Sequence, residues 1–125
     1  ANGTKRFETT TSGVTVTGTV SDSKGDLRKI IQNTQGSAYT LVAADAGKHI
    51  LASGNVTVQN STFTAGQAVT IVNNTGGDIS IVKAINDMYW TQDGSDATRT
   101  LGTRGMATLL FTSSSQCYIS GSPLS

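Results

Sequence analysis

Small hydroxyl side chains constrain the fold of this chain more than any other feature. Of the 125 residues, 20 are threonine and 14 are serine, whereas glutamate and proline occur once each. Threonine, like valine and isoleucine, favours strands over helices, and strong helix formers are scarce. A helical bundle is therefore excluded, and the length fits a single all-β domain.

The first twenty residues predict a β-hairpin. Val14, Val16 and Val20 share one parity, and threonines occupy the alternate positions. Because successive side chains of a strand point to opposite faces, this pattern predicts a strand with one apolar face. Residues 5–10 supply a partner strand, and residues 12–13 supply the turn between them.

Turn-forming residues at 21–26 separate this hairpin from the remainder of the chain. We therefore divide the sequence into an N-terminal β arm or hairpin with its loop, residues 1–26, and a β-sandwich or barrel, residues 27–125. An isolated two-stranded hairpin is at best marginally stable in water. Its apolar side chains therefore pack either on their own domain or on another chain. The residues of this oligomerisation or attachment interface are Phe7, Val14, Val16, Val20, Lys5, Arg6 and Arg28.

Beyond residue 26, short apolar segments alternate with turn signals at the 8–12-residue spacing of a sandwich or barrel. About eight short strands are expected, with one helical turn at residues 43–47. The glycine-rich stretch at residues 73–78 is the strongest hairpin signal and predicts that the strands on either side of it pair. No repeat of fixed period is visible.

Groups that support catalysis or bind metals are scarce. His49 is the single histidine and Glu8 the single glutamate, and Cys117 is the single cysteine, so an internal disulfide is excluded. Zinc sites need several Cys or His ligands, and the aspartates at 22–26 and 93–96 do not match a calcium-binding loop. We predict a protein that is not an enzyme, without catalytic residues, metal or cofactor.

Charge and hydropathy indicate neither a nucleic acid nor a membrane as partner. The formal net charge is +1, and the excess of cations in residues 1–29 is slight. A nucleic-acid-binding surface would cluster its cations. The longest apolar runs are far shorter than the ~20 residues that a membrane-spanning helix needs. We therefore expect no nucleic-acid binding and no membrane insertion.

One aromatic pair offers a candidate binding surface. Tyr89 and Trp90 are followed by polar residues, a combination that suits contact with a glycan. Adjacent strand positions face opposite ways, so one of the two rings is expected in the core. Glycan contact and core packing are both kept as interpretations of this pair.

Two groups of motifs resemble known proteins. Residues 5–18 have the sequence KRFETTTSGVTVTG, and residues 22–28 continue it as DSKGDLR. This segment resembles the KFETTSSGVTVTG segment that recurs in virion structural proteins of tailed phages, especially marine and cyanobacterial ones. Later motifs resemble a module at the ends of phage fibres and other structural proteins: Tyr39-Thr40-Leu41, Asp45-Ala46-Gly47-Lys48, Phe63-Thr64-Ala65-Gly66, Val69-Thr70-Ile71-Val72-Asn73-Asn74 and Ile119-Ser120-Gly121.

The resemblance implies a virion surface protein, assembled in the host cytoplasm, that forms a homotrimer and binds other capsid or tail proteins. Its position would be that of a capsid decoration protein or head fibre, or of a tail fibre. In a decoration protein, Lys5, Arg6, Arg28 and Lys29 would pair with acidic groups of the shell. The alternative from another class is a receptor-recognition module that binds a host-surface polysaccharide. The resemblance implies no catalytic residues.

Overall fold

The computed structural model describes residues 7–125 of the chain. Residues up to Ile31 form one compact unit, and Gln32–Ser125 form a second. The sequence placed this boundary after Asp26. Lys5 and Arg6, which the sequence assigned to the interface, lie outside the described residues.

Thirteen strands and one short 3-10 turn, Ala43–Asp45, make up the described elements. The strands are β1 Phe7–Thr10, β2 Gly13–Val16, β3 Ser21–Asp22, β4 Gly25–Asp26, β5 Gln32–Gln35, β6 Tyr39–Thr40, β7 His49–Ala52, β8 Val56–Gln59, β9 Ala68–Asn73, β10 Ile79–Ala84, β11 Asp87–Trp90, β12 Arg99–Ser113 and β13 Gln116–Leu124.

The N-terminal unit holds two small antiparallel ladders. β1 pairs with β2 in a register that places Phe7 opposite Val16 and Thr10 opposite Gly13, so the turn lies one residue earlier than predicted. β3 and β4 form a second ladder inside the stretch predicted as a loop. Val20 lies outside β2, contrary to the prediction of one continuous strand, because the backbone leaves the ladder after Val16.

The C-terminal unit is a single nine-stranded sheet that curls into a nearly closed barrel, which confirms the predicted all-β sandwich or barrel. The chain alternates between two columns of parallel strands. β5, β7 and β9 form one column, and β6, β8 and β10 form the other. Each pair of consecutive strands is therefore one coil of a winding with three coils.

In the first two coils, paired residues are separated by the same number of positions along the chain in both columns. Gln32 lies opposite His49, and Tyr39 lies opposite Val56, an offset of 17 residues in each case. In the third coil, Thr70 lies opposite His49 and Ile81 opposite Val56, which are longer offsets. The winding is therefore regular in space but not in sequence.

β12 closes both columns. Its first residues, Arg99–Leu101, pair with β10, and Met106–Leu110 pair with β9. The register shifts between these two segments, where Arg104 has a positive φ of 58°. β13 pairs with the other edge of β12, and β11 adds to β13.

The predicted hairpin across residues 73–78 is wrong. The strands on either side of it, β9 and β10, belong to different columns, and each pairs with β12 instead of with the other. The Asn73 amide is buried and donates hydrogen bonds to the carbonyl oxygens of Gly77, Leu101 and Gly102. This side chain therefore holds the turn against β12.

The core lies between the two columns and β12. Its side chains are apolar, and most of them come from alternate positions of the strands, as period-two patterning requires. Leu41 and Phe63 reach the core from outside the strands. The largest fully buried side chains are Phe63, Phe111, Leu41, Ile50, Ile71, Ile81, Met88, Leu101, Leu109, Ile119, Val56 and Val58.

One buried carboxylate fixes the first crossing between the columns. Asp45 is 1% exposed and accepts hydrogen bonds from the Asn33 amide at 2.8 Å, the Tyr39 hydroxyl at 2.8 Å and the Val42 backbone N–H at 2.9 Å. Burial, followed by the hydrogen bond with Asp45, raises the pKa of Tyr39. The carboxylate therefore ties β5, β6 and the 3-10 turn together.

We expect Asp45→Ala to lower the free energy of unfolding by about 3 kcal/mol, because it removes the acceptor of three hydrogen bonds at a buried position. Urea denaturation followed by circular dichroism measures this loss. Asp87→Ala, at a half-buried position, is the control, with a change of at most about 1 kcal/mol. Equal losses in the two variants would contradict a structural role for the Asp45 hydrogen bonds.

Candidate functional site

The β1–β2 hairpin exposes an apolar face. Residues directly opposite in a ladder share a face, so Phe7, Val16, Thr9 and Val14 lie together. Phe7 is 69% exposed, Val14 55% and Val16 38%. These side chains do not form a core of their own, and this face of the hairpin is available for contact.

A groove of about 470 Å³ runs beside this face within the N-terminal unit. Its lining combines apolar side chains of β2 and of the segment after it with charged side chains at the end of β4 and just beyond it. The lining residues are Val14, Val16, Gly18, Thr19, Val20, Asp26, Arg28 and Lys29. The backbone N–H of Leu27 donates to the Val20 carbonyl at 2.8 Å and so links the two walls.

The charged wall of the groove is basic. Lys29 Nζ lies 3.4 Å from Asp26 Oδ2, an exposed ion pair, whereas Arg28 forms no salt bridge with any residue in the range 7–125. The groove therefore combines valine side chains with an available guanidinium. These features suit an extended apolar segment that carries a carboxylate.

The structure thus brings together four of the interface residues named from the sequence: Val14, Val16, Val20 and Arg28. Sequence analysis missed two further exposed apolar residues of this unit, Leu27 at 59% and Ile30 at 64%. Both residues lie in a stretch with charged neighbours that does not alternate between apolar and polar positions. No periodic pattern therefore predicted an apolar face there.

The second candidate, the aromatic pair, is divided between two faces of β11. Trp90 packs against the core, and the Arg99 guanidinium lies 4.7 Å from the centre of its ring. Arg99 is 8% exposed and also donates to the Ser95 hydroxyl at 2.9 Å. Trp90 therefore has a structural cation–π contact, and its ring does not form a shared surface with Tyr89.

Tyr89 lies on the outer face, where the sequence had not placed a partner for it. Its ring centre is 5.5 Å from that of Tyr118, at an interplanar angle of 46°. The two residues are directly opposite in the β11–β13 ladder. The sequence signal for this pair was weak, because Tyr118 lies 29 positions further along the chain.

The aspartates beside this pair hold a turn. Hydrogen bonds from the Ser95 side chain, and then from its backbone, lower the pKa of Asp93. The backbone hydrogen bond from Met88 is the main cause of the lowered pKa of Asp96, which also forms an ion pair with Lys83 at 3.2 Å. Within residues 7–125, no group of three or more His, Cys, Asp or Glu side chains is placed to hold a metal ion.

The single histidine and the single cysteine lie in different environments: His49 is on the outer face, and Cys117 is in the core. The His49 ring is 3.0 Å from the Gln32 side-chain oxygen on the outer face. Cys117 is fully buried, and burial raises the pKa of its thiol to about 12. A thiol with such a pKa is a poor nucleophile at neutral pH, so Cys117 acts as a small apolar side chain.

No family model and no curated protein matches the sequence. Across residues 7–125, no helix has the length and apolar character needed to cross a membrane. The functional interpretation therefore depends on the resemblance of the motifs and on the geometry of the N-terminal unit.

Proposed function

We propose that the chain is a non-enzymatic structural protein on the surface of a tailed-phage virion. In this proposal it is a homotrimeric capsid decoration, head-fibre or tail-fibre subunit. The N-terminal unit attaches it to other virion proteins, and the β-barrel is displayed. The observation that carries the proposal is the exposed apolar face of the hairpin, with Phe7, Val14 and Val16 open to contact.

Apolar burial supplies most of the attachment energy in this proposal. Covering about 300 Å² of apolar surface of the hairpin gives roughly 7 kcal/mol at ~25 cal/mol/Å², before ordering costs. An exposed ion pair contributes only ~0–1 kcal/mol. The valines and Phe7 therefore set the affinity, and Arg28 and Lys29 set the orientation toward an acidic surface.

One substitution on each face of β2 tests whether the apolar face of the hairpin supplies the attachment energy. We expect Val16→Lys to reduce binding to particles that lack the protein by at least about tenfold, because the ammonium group must be buried in an apolar contact. Thr15→Lys adds the same charge on the opposite face and should bind like the wild type. Binding is measured by co-sedimentation with particles of the phage that encodes the chain. Equal binding by both variants would refute attachment through this face.

The alternative, a glycan-binding module, is favoured by one observation. Tyr89 and Tyr118 form an aromatic pair on the outer face, with Tyr118 40% exposed. Under this alternative, Tyr89→Ala abolishes binding to host cells and leaves attachment to the particle unchanged. Under the proposal above, Tyr89→Ala changes neither, and the same co-sedimentation assay with host cells separates the two.

A further inference from the structure

The sheet formed by β5, β7, β9, β12, β13 and β11 has an outer face built from three rungs that run across the strands. The registers define the rungs. The first rung is Thr34, Leu51, Val72, Met106 and Ser122; the middle rung is Gln32, His49, Thr70, Thr108 and Ser120; the third rung is Ala68, Leu110, Tyr118 and Tyr89. We call this surface the rung face.

The rung face contains no lysine, arginine, aspartate or glutamate. Its outer rungs are mainly apolar, with Met106 55% exposed and Leu110 48% exposed. Its middle rung is polar, but several of its groups are already paired. Thr70 and Thr108 share a hydrogen bond of 2.9 Å, and Gln32 lies within 3.0 Å of the His49 ring.

The outer face of the other column has a different character. None of its side chains is among the exposed large hydrophobic residues of the described chain. Its outward positions are Thr40, Thr57, Gln59, Ser80, Val82 and Ala84. Large apolar side chains at a single uncharged sheet face mark an interaction surface. The contrast between the two columns therefore locates that surface on the rung face.

We propose that the rung face binds the rung face of a second copy of this chain, sheet against sheet. Two copies that meet through one shared surface are related by a two-fold axis in the plane of the contact. The rungs follow the order apolar, polar, apolar, which is symmetric about the middle rung. A two-fold axis along or across the strands therefore brings apolar rungs onto apolar rungs and the polar rung onto itself.

Charge and hydrogen bonding favour a second copy over other partners. A face without ionic groups does not repel its own copy, and it offers nothing to the charges of an acidic or basic partner. A polysaccharide needs free hydrogen-bonding groups, whereas Thr70 and Thr108 of the middle rung bond to each other. Facing sheets pack about 10 Å apart, a distance that side chains of this size fill.

The size of the rung face predicts a contact of modest strength. Six strands at a spacing of about 4.8 Å, and three rungs about 7 Å apart, give roughly 600 Å² per copy once the side-chain borders are included. Standard stable interfaces bury about 800 Å² per partner. Self-association should therefore depend on protein concentration. The contact lies on the C-terminal unit, and it does not require the proposed function to be correct.

Sedimentation of the full chain over a range of concentrations tests the proposal. We expect Met106→Arg to weaken self-association at least about tenfold, because two guanidinium groups would enter an apolar contact. If the N-terminal unit also associates chains, losing the contact between two rung faces splits the largest assembly into two equal parts. Met106→Arg then halves the mass of the largest species. Gln59→Arg, on the outer face of the other column, is the matched control and should associate like the wild type.

A cross-link keeps the test decisive if Met106→Arg alters folding. Thr108 lies at the centre of the rung face, so Thr108→Cys in two copies should join rapidly with a short thiol cross-linker. Gln59→Cys should react at least about tenfold more slowly, and the wild type should not react, because its Cys117 is buried with a raised pKa. Equal cross-linking of the two cysteine variants, together with unchanged association of Met106→Arg, would overturn the proposal.

Discussion

Replacing Gly121 with alanine should disrupt the pairing of β13 with β12. A Cβ atom at Gly121 would lie 2.6 Å from the Ala107 Cα and would also clash with the carbonyl oxygen of Met106. Both are backbone atoms of a paired strand, so neither can move aside as a flexible side chain would. We expect a loss of about 3 kcal/mol or more in the free energy of unfolding, measured by urea denaturation.

Gly76→Ala is the control for this substitution. A Cβ at Gly76 meets no atom within 4 Å, and this glycine lies in an exposed turn. The change in stability should stay within about 0.5 kcal/mol. If both variants unfolded at the wild-type urea concentration, the close approach of β13 to β12 described above would be incorrect.

Phe111→Ala should produce the second large loss. The ring of Phe111 is 1% exposed and stacks on Phe63 with ring centres 4.3 Å apart. Removing a buried aromatic side chain costs about 3–5 kcal/mol through lost burial and the cavity left behind. The midpoint of thermal or urea unfolding, measured with two independent probes, reports this change.

Leu110→Ala provides the comparison, since the preceding residue on β12 faces outward and is 48% exposed. At a protein concentration too low for self-association, its loss should be below about 1 kcal/mol. A loss at Leu110 as large as the loss at Phe111 would mean that the two faces of β12 have been assigned the wrong way round.

The strands were predictable because their patterns are local. Short apolar segments between turn signals predicted the strands, and two of these segments lie in β7 and β8. Strand pairing was not predictable in the same way. The turn after Asn73 has the composition of a hairpin, but hydrogen bonds from Asn73 to the carbonyls of Leu101 and Gly102 direct the chain to the other column. Those partners lie almost thirty residues away.

The winding of the parallel columns left no repeat in the sequence. Stacked positions of the coils carry unlike side chains, as Gln32, His49 and Thr70 show. Parallel pairing depends on backbone hydrogen bonds, which most residue types can form. The number of residues between paired positions also changes in the third coil. A search for a repeat of fixed period could therefore not reveal the winding.

The candidate sites were predictable to different degrees. Alternation identified Val14 and Val16 as one face of a hairpin, and the structure exposes both. It could not identify the rung face, because residues 106–111 form a nearly continuous apolar run that is typical of a strand buried on both sides. Only the pairing of β12 with β9 and β13 shows that Met106 and Leu110 face outward.

Our central claim is the proposal that the chain is displayed on a phage virion, and cryo-electron microscopy of that virion tests it most directly. Particles with the wild-type protein should show density for the β-barrel on the capsid or tail surface, and particles with residues 1–20 of the protein deleted should lack it. Deletion is expected to act on attachment because the barrel, residues 32–125, forms its own core. Wild-type particles without this density, or full occupancy after the deletion, would contradict the account.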